Sequence, residues 1–181
     1  MNISNYPEIK PGIKYFKRIY IAVMLFVVGR AIQAAARVDK EVKQEFENFR
    51  DGFTFCLGVM PGGPYMLVGK DEKGRVKYLG WKKGPHKLTV DMKIKNTEAA
   101  FLVFTFQEST ATAYAHDRFV VDGDLIDGLA IVRILGLVEV YLLPKIIAKL
   151  AVKRYPKWSE MSPLRKYFNR TLIYTRTLLG F

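Results

Sequence analysis

The stretches KLTVDMKIKNTEAAFLVFTF (residues 87–106) and FVVDGDLIDGLAIV (residues 119–132) decide how this chain folds. In the first, Leu88, Val90, Met92 and Ile94 alternate with Thr89, Asp91, Lys93 and Lys95. A two-residue period of this kind belongs to a half-buried strand. Asn96 or Thr97 can then cap a helix, with Glu98 in the first turn, where the helix dipole favours an acid. That helix runs from Ala99 to Phe106 with apolar residues on nearly every face, whereas a surface helix keeps one face polar. In the second stretch, a strand ending in Val-Val-Asp-Gly-Asp leads into another almost wholly apolar helix, from Leu125 towards Leu143. Two such helices beside one small sheet supply more apolar wall than a compact core needs. The surplus predicts a lined cavity for a hydrophobic ligand.

Working outward, Asp39 to Phe49 is a highly charged helix with Val42, Phe46 and Phe49 on one face, suited to covering an edge of the domain. Phe53, Phe55, Leu57 and Val59 alternate as a first strand. Tyr65 to Gly69 gives a second and Val76 to Trp81 a third. Breaks fall at Pro61-Gly62-Gly63-Pro64, at Asp71-Glu72-Lys73-Gly74 and at Gly84-Pro85. The strand beginning at Lys87 is the fourth, and Ala111 to Val121 contains a fifth. The short spacing of the first three predicts an antiparallel meander.

The 181 residues carry a net charge of +12, unevenly spread. Residues 1–38 hold net +5, residues 39–144 net −1 and residues 145–181 net +8. This divides the chain into a basic, apolar N-terminal helix (1–38), an ordinary domain (39–144) and a basic amphipathic C-terminal extension (145–181). Charge and apolar stripes together suit an anionic lipid surface better than nucleic acid, because bases are not read by Leu and Ile stripes.

Residues 20–29 are uncharged and span about 15 Å as a helix, roughly half a hydrocarbon core. A full span would draw in Arg30, at about 2.5–3.5 kcal/mol. The segment from 20 to 37 therefore reads as a helix that dips into one leaflet, packs on protein or pairs two copies of the chain. A signal peptide, with its basic lead-in and Ala34-Ala35-Ala36, is the rival. Lys14, Lys17, Arg18, Leu25 and Phe26 are the expected membrane contacts at this end. Near the other end, Lys149 and Lys153 follow a helical spacing, and Pro144 kinks or restarts that helix. Beyond Ser162-Pro163, Phe168 joins an apolar stripe, while Arg165, Lys166 and Arg170 lie mostly elsewhere. This composition fits an interfacial helix, or equally a helix packed on the domain with a solvated basic face.

Chemistry finds little foothold. Cys56 is the single cysteine, so no intramolecular disulfide forms and a structural zinc site is disfavoured. His86 reads as a turn residue and His116 as part of a surface pair with Asp117. No nucleophile elbow or phosphate loop is present. Asp122, Asp124 and Asp127 lack the spacing of a calcium loop and read as a turn followed by a charged helix start. A non-catalytic protein without cofactor or metal is expected.

The order of elements resembles the sterol carrier protein type 2 (sterol-binding) family over roughly residues 45–143. The resemblance rests on Leu88-Thr-Val-Asp-Met-Lys-Ile, the short helix from Thr97 to Phe106, and Phe119-Val-Val-Asp-Gly-Asp before the helix at Leu125. It implies an α+β fold: a five-stranded, mostly antiparallel sheet covered by helices around an apolar tunnel, with helical extensions at both ends. It also implies a fatty acyl, sterol-like or isoprenoid quinone cargo, with Phe55, Leu57, Val90 and Met92 as the sheet wall. Phe101, Phe104, Leu125, Leu129 and Val132 would form the helical wall, with Leu135, Leu142 and Leu143 near the mouth. The expected protein binds and transfers lipid at the inner face of a membrane from the cytoplasm. A membrane-docked scaffold for lipid- or quinone-modifying enzymes is the alternative, and no nucleic-acid partner is expected.

Overall fold

Short polar caps punctuate the apolar runs and set where each helix begins. A computed structural model describes residues 14–84, 86–142 and 163–179, without the side chains of 163–168 and 178. In chain order the helices and strands are α1 (Tyr15–Val38), α2 (Lys40–Glu47), β1 (Thr54–Val59), β2 (Tyr65–Lys70), β3 (Val76–Gly80) and β4 (Val90–Ile94). They continue as α3 (Thr97–Phe104), α4 (Thr110–Ala115), β5 (Phe119–Asp122), α5 (Leu125–Leu142) and α6 (Pro163–Leu179). Asn96 caps α3 by accepting from the Ala99 N–H at 2.8 Å. Ser109 does the same for α4 through Thr112, and the Asp124 carboxylate accepts from the Ile126 N–H at the start of α5. Each satisfies a donor that the helix itself cannot.

The strands form one sheet in the order β3-β2-β1-β4-β5. Neighbours are antiparallel except β1 and β4, which run parallel. The fold is thus α+β with a mostly antiparallel sheet, as the sequence implies. The first three strands form the expected meander. The parallel pair arises because the chain leaves β3 at one edge and must pass β2 and β1 to reach β4. Residues 81–89 make this crossing over the outer face, where Lys83 bonds Asp91 at 2.5 Å and lies 4.9 Å from the centre of the Tyr65 ring. Burial alone would raise Asp91, but its bonds to Lys83 and Lys93 outweigh that and hold the carboxyl below its ordinary value. Gly123, at φ +131°, meets this crossover closely: a Cβ there would sit 2.6 Å from the Thr89 carbonyl oxygen.

On the inner face, Phe55 and Leu57 stand beside Val68 and Met66 of β2 and beside Val90 and Met92 of β4. All are buried. Against this face lies α1, which also touches α2, α3, α5 and α6. Ile21, Leu25, Ala31, Ile32 and Ala35 are fully buried. Gly29 permits the close seat, since a Cβ on it would stand 2.6 Å from the Tyr78 ring of β3. Gln33 Oε1 accepts from the Tyr78 N–H at 2.7 Å, and Tyr20 donates its hydroxyl proton to the Phe104 carbonyl at 3.0 Å. By length and composition α1 could cross a bilayer, yet 56% of its apolar window is buried inside the domain. Of the readings open to this helix, packing on protein describes its apolar face, which is part of the core; Leu25, an expected membrane contact, is inaccessible, and that assignment is corrected.

Two points of local structure sharpen the sequence reading. The stretch from Ala111 to Val121 contains the fifth strand as expected, but only from Phe119, because residues 110–115 form α4. Ser109 explains this, because its cap diverts the backbone into a helical turn before the β-branched residues resume. His116 pairs with Glu108 at 2.7 Å rather than with Asp117, which bonds Lys95.

Asp39 ties several elements together. Its Oδ1 caps α2 by accepting from Glu41 and Val42, while the buried Tyr141 of α5 donates its hydroxyl proton to Oδ2. Asp39→Ala is expected to cost about 2 kcal/mol, combining a lost cap with a lost bond to the buried Tyr141 hydroxyl, as read by urea unfolding. Cys56 lies fully buried on the outer face, and burial followed by the nearby Asp91 charge pushes its thiol up to about 12. Iodoacetamide at mildly alkaline pH is expected to leave it unmodified in folded protein and to alkylate it fully in urea, as counted by intact mass.

Candidate ligand cavity

The ligand-sized cavity expected from the sequence is not open in this structure, which leaves only a small apolar void. Between the inner face of the sheet and the helices is a cavity of about 20 Å³. Leu57 and Ile94 line it from the sheet, Val28 from α1, Val103 and Phe104 from α3, and Leu135 and Leu142 from α5. Phe106 and Phe119 complete the apolar wall. The volume admits about one water-sized group, not an acyl chain. Val28 of α1 forms part of the wall, so the N-terminal helix takes up space on the inner face.

Four of the predicted lining residues, Leu57, Phe104, Leu135 and Leu142, meet at this cavity. Phe55, Val90, Met92 and Val132 are buried in the surrounding core without lining it. Phe55 instead joins an aromatic group with Phe53, which stacks on Phe49 at 4.0 Å. Phe101 packs edge-on against Tyr20 of α1, with ring centres 5.7 Å apart. Leu125 and Leu129 are 60% and 41% exposed, so their assignment to the wall is corrected. They occupy the N-terminal turns of α5 on its outward side, a placement that an all-round apolar helix pattern does not reveal. Leu143 lies outside the described residues.

Sequence reasoning missed the two polar groups at this site. Glu139 of α5 is 8% exposed and lines the cavity together with Thr110, the first residue of α4. The Thr110 hydroxyl donates to Glu139 Oε1 at 2.5 Å. Burial pushes the Glu139 carboxyl up to about 7, against a smaller lowering by the Thr110 bond. No other titratable side chain lines the cavity among the described residues. The signal was available: Glu139 is an acid between Val138 and Val140 in a helix whose other charged residues are Asp127 and Arg133.

Of the basic residues expected at a membrane, the four with described side chains, Lys14, Lys17, Arg18 and Arg170, are engaged within the domain. Lys14 and Lys17 both bond Glu98 and hold its carboxyl below the ordinary value, Lys14 more strongly. Arg18 donates to the carbonyls of Pro61, Gly62 and Gly63. Arg170 donates to the carbonyls of Tyr141 and Val140, closing the C-terminal end of α5, so its assignment to a lipid surface is corrected. Phe26 is half exposed beside Tyr78. Arg165, Lys166 and Phe168 fall on α6, where their side chains lie outside the described set, as do Lys149 and Lys153 altogether. A different surface stands out: an open groove of about 640 Å³ lined by Tyr15, Ile19, Pro64, Tyr65 and Trp81, with Arg18, Lys82 and Lys83 along it. Trp81 there is 69% exposed, and neighbouring Phe16 is 90% exposed.

The solved structures to which this chain is similar include two described as sterol carrier proteins. A protein described as "UbiJ-SCP2 Ubiquinone synthesis protein" matches over 68% of this chain and 98% of its own, at 13% identity and a TM-score of 0.43. The sterol carrier protein domain 2 of Helicoverpa armigera matches over 74% of this chain and 92% of its own, at 16% identity and a TM-score of 0.41. No family model matches the sequence, and no curated protein does.

Folding raises Glu139 above its unfolded value, so its contribution to stability is complete at low pH and is lost as pH rises towards about 7. Relative to Glu139→Gln, the native chain is expected to lose about 3 kcal/mol between pH ~4 and pH ~8. Urea denaturation of both proteins at the two pH values measures the difference.

Proposed function

We propose that this protein is a non-catalytic lipid-binding protein that takes up an apolar molecule between α3, α5 and the sheet while resting on a membrane surface. The observation that carries the reading is the apolar cavity on the inner face, bounded by Leu57, Phe104, Leu135 and Leu142. Its size requires the wall to part before a chain enters. Phe106 is suited to that movement: it lines the cavity, is only partly buried, and holds a φ of +60°, a costly conformation for a bulky residue. Rotating it outward relieves the backbone and widens the space. Each methylene then transferred from water gains about 0.8 kcal/mol, so chain length governs affinity.

The membrane side of the proposal rests on the groove near Tyr15, Ile19 and Trp81. Exposed aromatic and aliphatic side chains beside lysines favour the headgroup layer, where each well-placed cation adds about 1 kcal/mol on anionic lipid. Residence in the cytoplasm against the inner leaflet belongs to the same proposal. The tight interior also favours the second reading, a membrane-docked scaffold for lipid- or quinone-modifying enzymes, in which the cavity carries no cargo.

Extraction of protein purified from cells, followed by mass spectrometry, is expected to find a bound lipid. Leu135→Trp, which fills the cavity, is expected to abolish uptake, whereas Phe106→Ala is expected to increase it. Empty native protein with Leu135→Trp indistinguishable in every binding assay would favour the scaffold. Trp81→Ala with Phe16→Ala is expected to lower retention on vesicles of phosphatidylglycerol several-fold in flotation.

A further inference from the structure

A carboxyl group at an apolar cavity is costly unless it has a use or a partner. Among the described residues Glu139 has one hydrogen-bond partner, Thr110, and that bond engages Oε1. The walls facing it from α1, β1, β4, α3 and β5 are Val28, Leu57, Ile94, Val103, Phe104 and Phe119, none of which titrates or carries charge. Thr110 is the polar group from α4, and Leu135 and Leu142 are its neighbours on α5. Among the described residues, an incoming molecule therefore meets hydrocarbon, the Thr110 hydroxyl and a single carboxyl group.

We propose that Glu139 reads the head of the bound lipid, admitting uncharged molecules that end in a hydroxyl or carbonyl oxygen and rejecting ionised fatty acids. This deepens the lipid-binding reading above and rests on it. The chemistry follows from the two oxygens. With Oε1 accepting from Thr110, the proton of the neutral acid sits on Oε2 and can be donated to a ligand oxygen. When Glu139 is ionised, Oε2 accepts instead, and an alcohol satisfies it by turning its own hydroxyl round. A carboxylate has no proton to offer and would place a second negative charge in a dry site. It can bind only when one proton is shared between the two groups. Rejection of acids therefore strengthens as pH rises through the Glu139 midpoint, which burial sets near 7. Alcohols bind on both sides of it.

The test is equilibrium dialysis of the full-length protein with radiolabelled dodecan-1-ol and dodecanoic acid between pH about 6 and about 8.5. Dodecanoate affinity is expected to fall about tenfold per pH unit above the midpoint, while dodecanol changes less than about twofold. Glu139→Gln is expected to flatten the acid profile and to bring the two ligands within about threefold of each other. Thr110→Val removes the bond that favours the charged form, so the break in the acid profile is expected to move to higher pH. This second variant keeps the acid itself and tests the same link if Glu139→Gln folds poorly. A pH-independent dodecanoate affinity in the native protein overturns the inference and leaves lipid binding standing, as does a break unmoved in Thr110→Val. Native protein that binds neither ligand overturns the lipid-binding reading, and the inference falls with it.

Discussion

The seat of α1 on the inner face of the sheet is the contact on which the rest depends. Ile21, Leu25 and Ile32 are fully buried there, and each such side chain is worth about 1.5–3 kcal/mol relative to water. A bilayer would offer those residues a similar apolar medium, but only by unseating Gln33 from Tyr78 and drawing Arg30 into hydrocarbon. Arg30 instead lies beside α6, where it donates to the Thr177 carbonyl. The apolar run that resembles a membrane anchor is thus better satisfied by its own domain. The same placement determines how little room remains around Leu57 and Leu135.

Much of the sheet was legible because its strands end in clear turns and, in β4, apolar and polar residues alternate. The alternation of Leu88 to Lys95, the Asn96 cap and the Asp124 start of α5 all have local causes, and local causes survive folding. The failures share a different origin. Helices that are apolar all round have no pattern to say which side faces inward, so Leu125 and Leu129 could not be separated from Val132 and Leu135. Arg170 was misread because its partners are carbonyls at the end of a helix distant in sequence, invisible to charge counting. The fate of α1 depended on which protein surface would receive it, which only the assembled sheet decides.

Electrostatics in this fold is mostly internal. The high positive charge suggested lysines reaching for phosphate, yet Lys14 and Lys17 share one glutamate, and Lys83 and Lys93 share one aspartate. These pairs pin α1 to α3 and the crossover to the sheet. Glu139, like Asp39, is an acid answered by a hydroxyl rather than a cation. A lysine or arginine there would have fixed its charge permanently. A threonine leaves it free to change state within the physiological range.

The bond from Gln33 to Tyr78 has an effect beyond holding a helix. β3 ends the sheet, and a terminal strand presents backbone donors and acceptors to any extended chain that drifts past. By taking up the Tyr78 N–H and laying a helix alongside, α1 denies that template to foreign strands. The N-terminal helix therefore also acts as a guard against fibrillar growth from this side of the molecule, and a chain deprived of it would be left with an adhesive border.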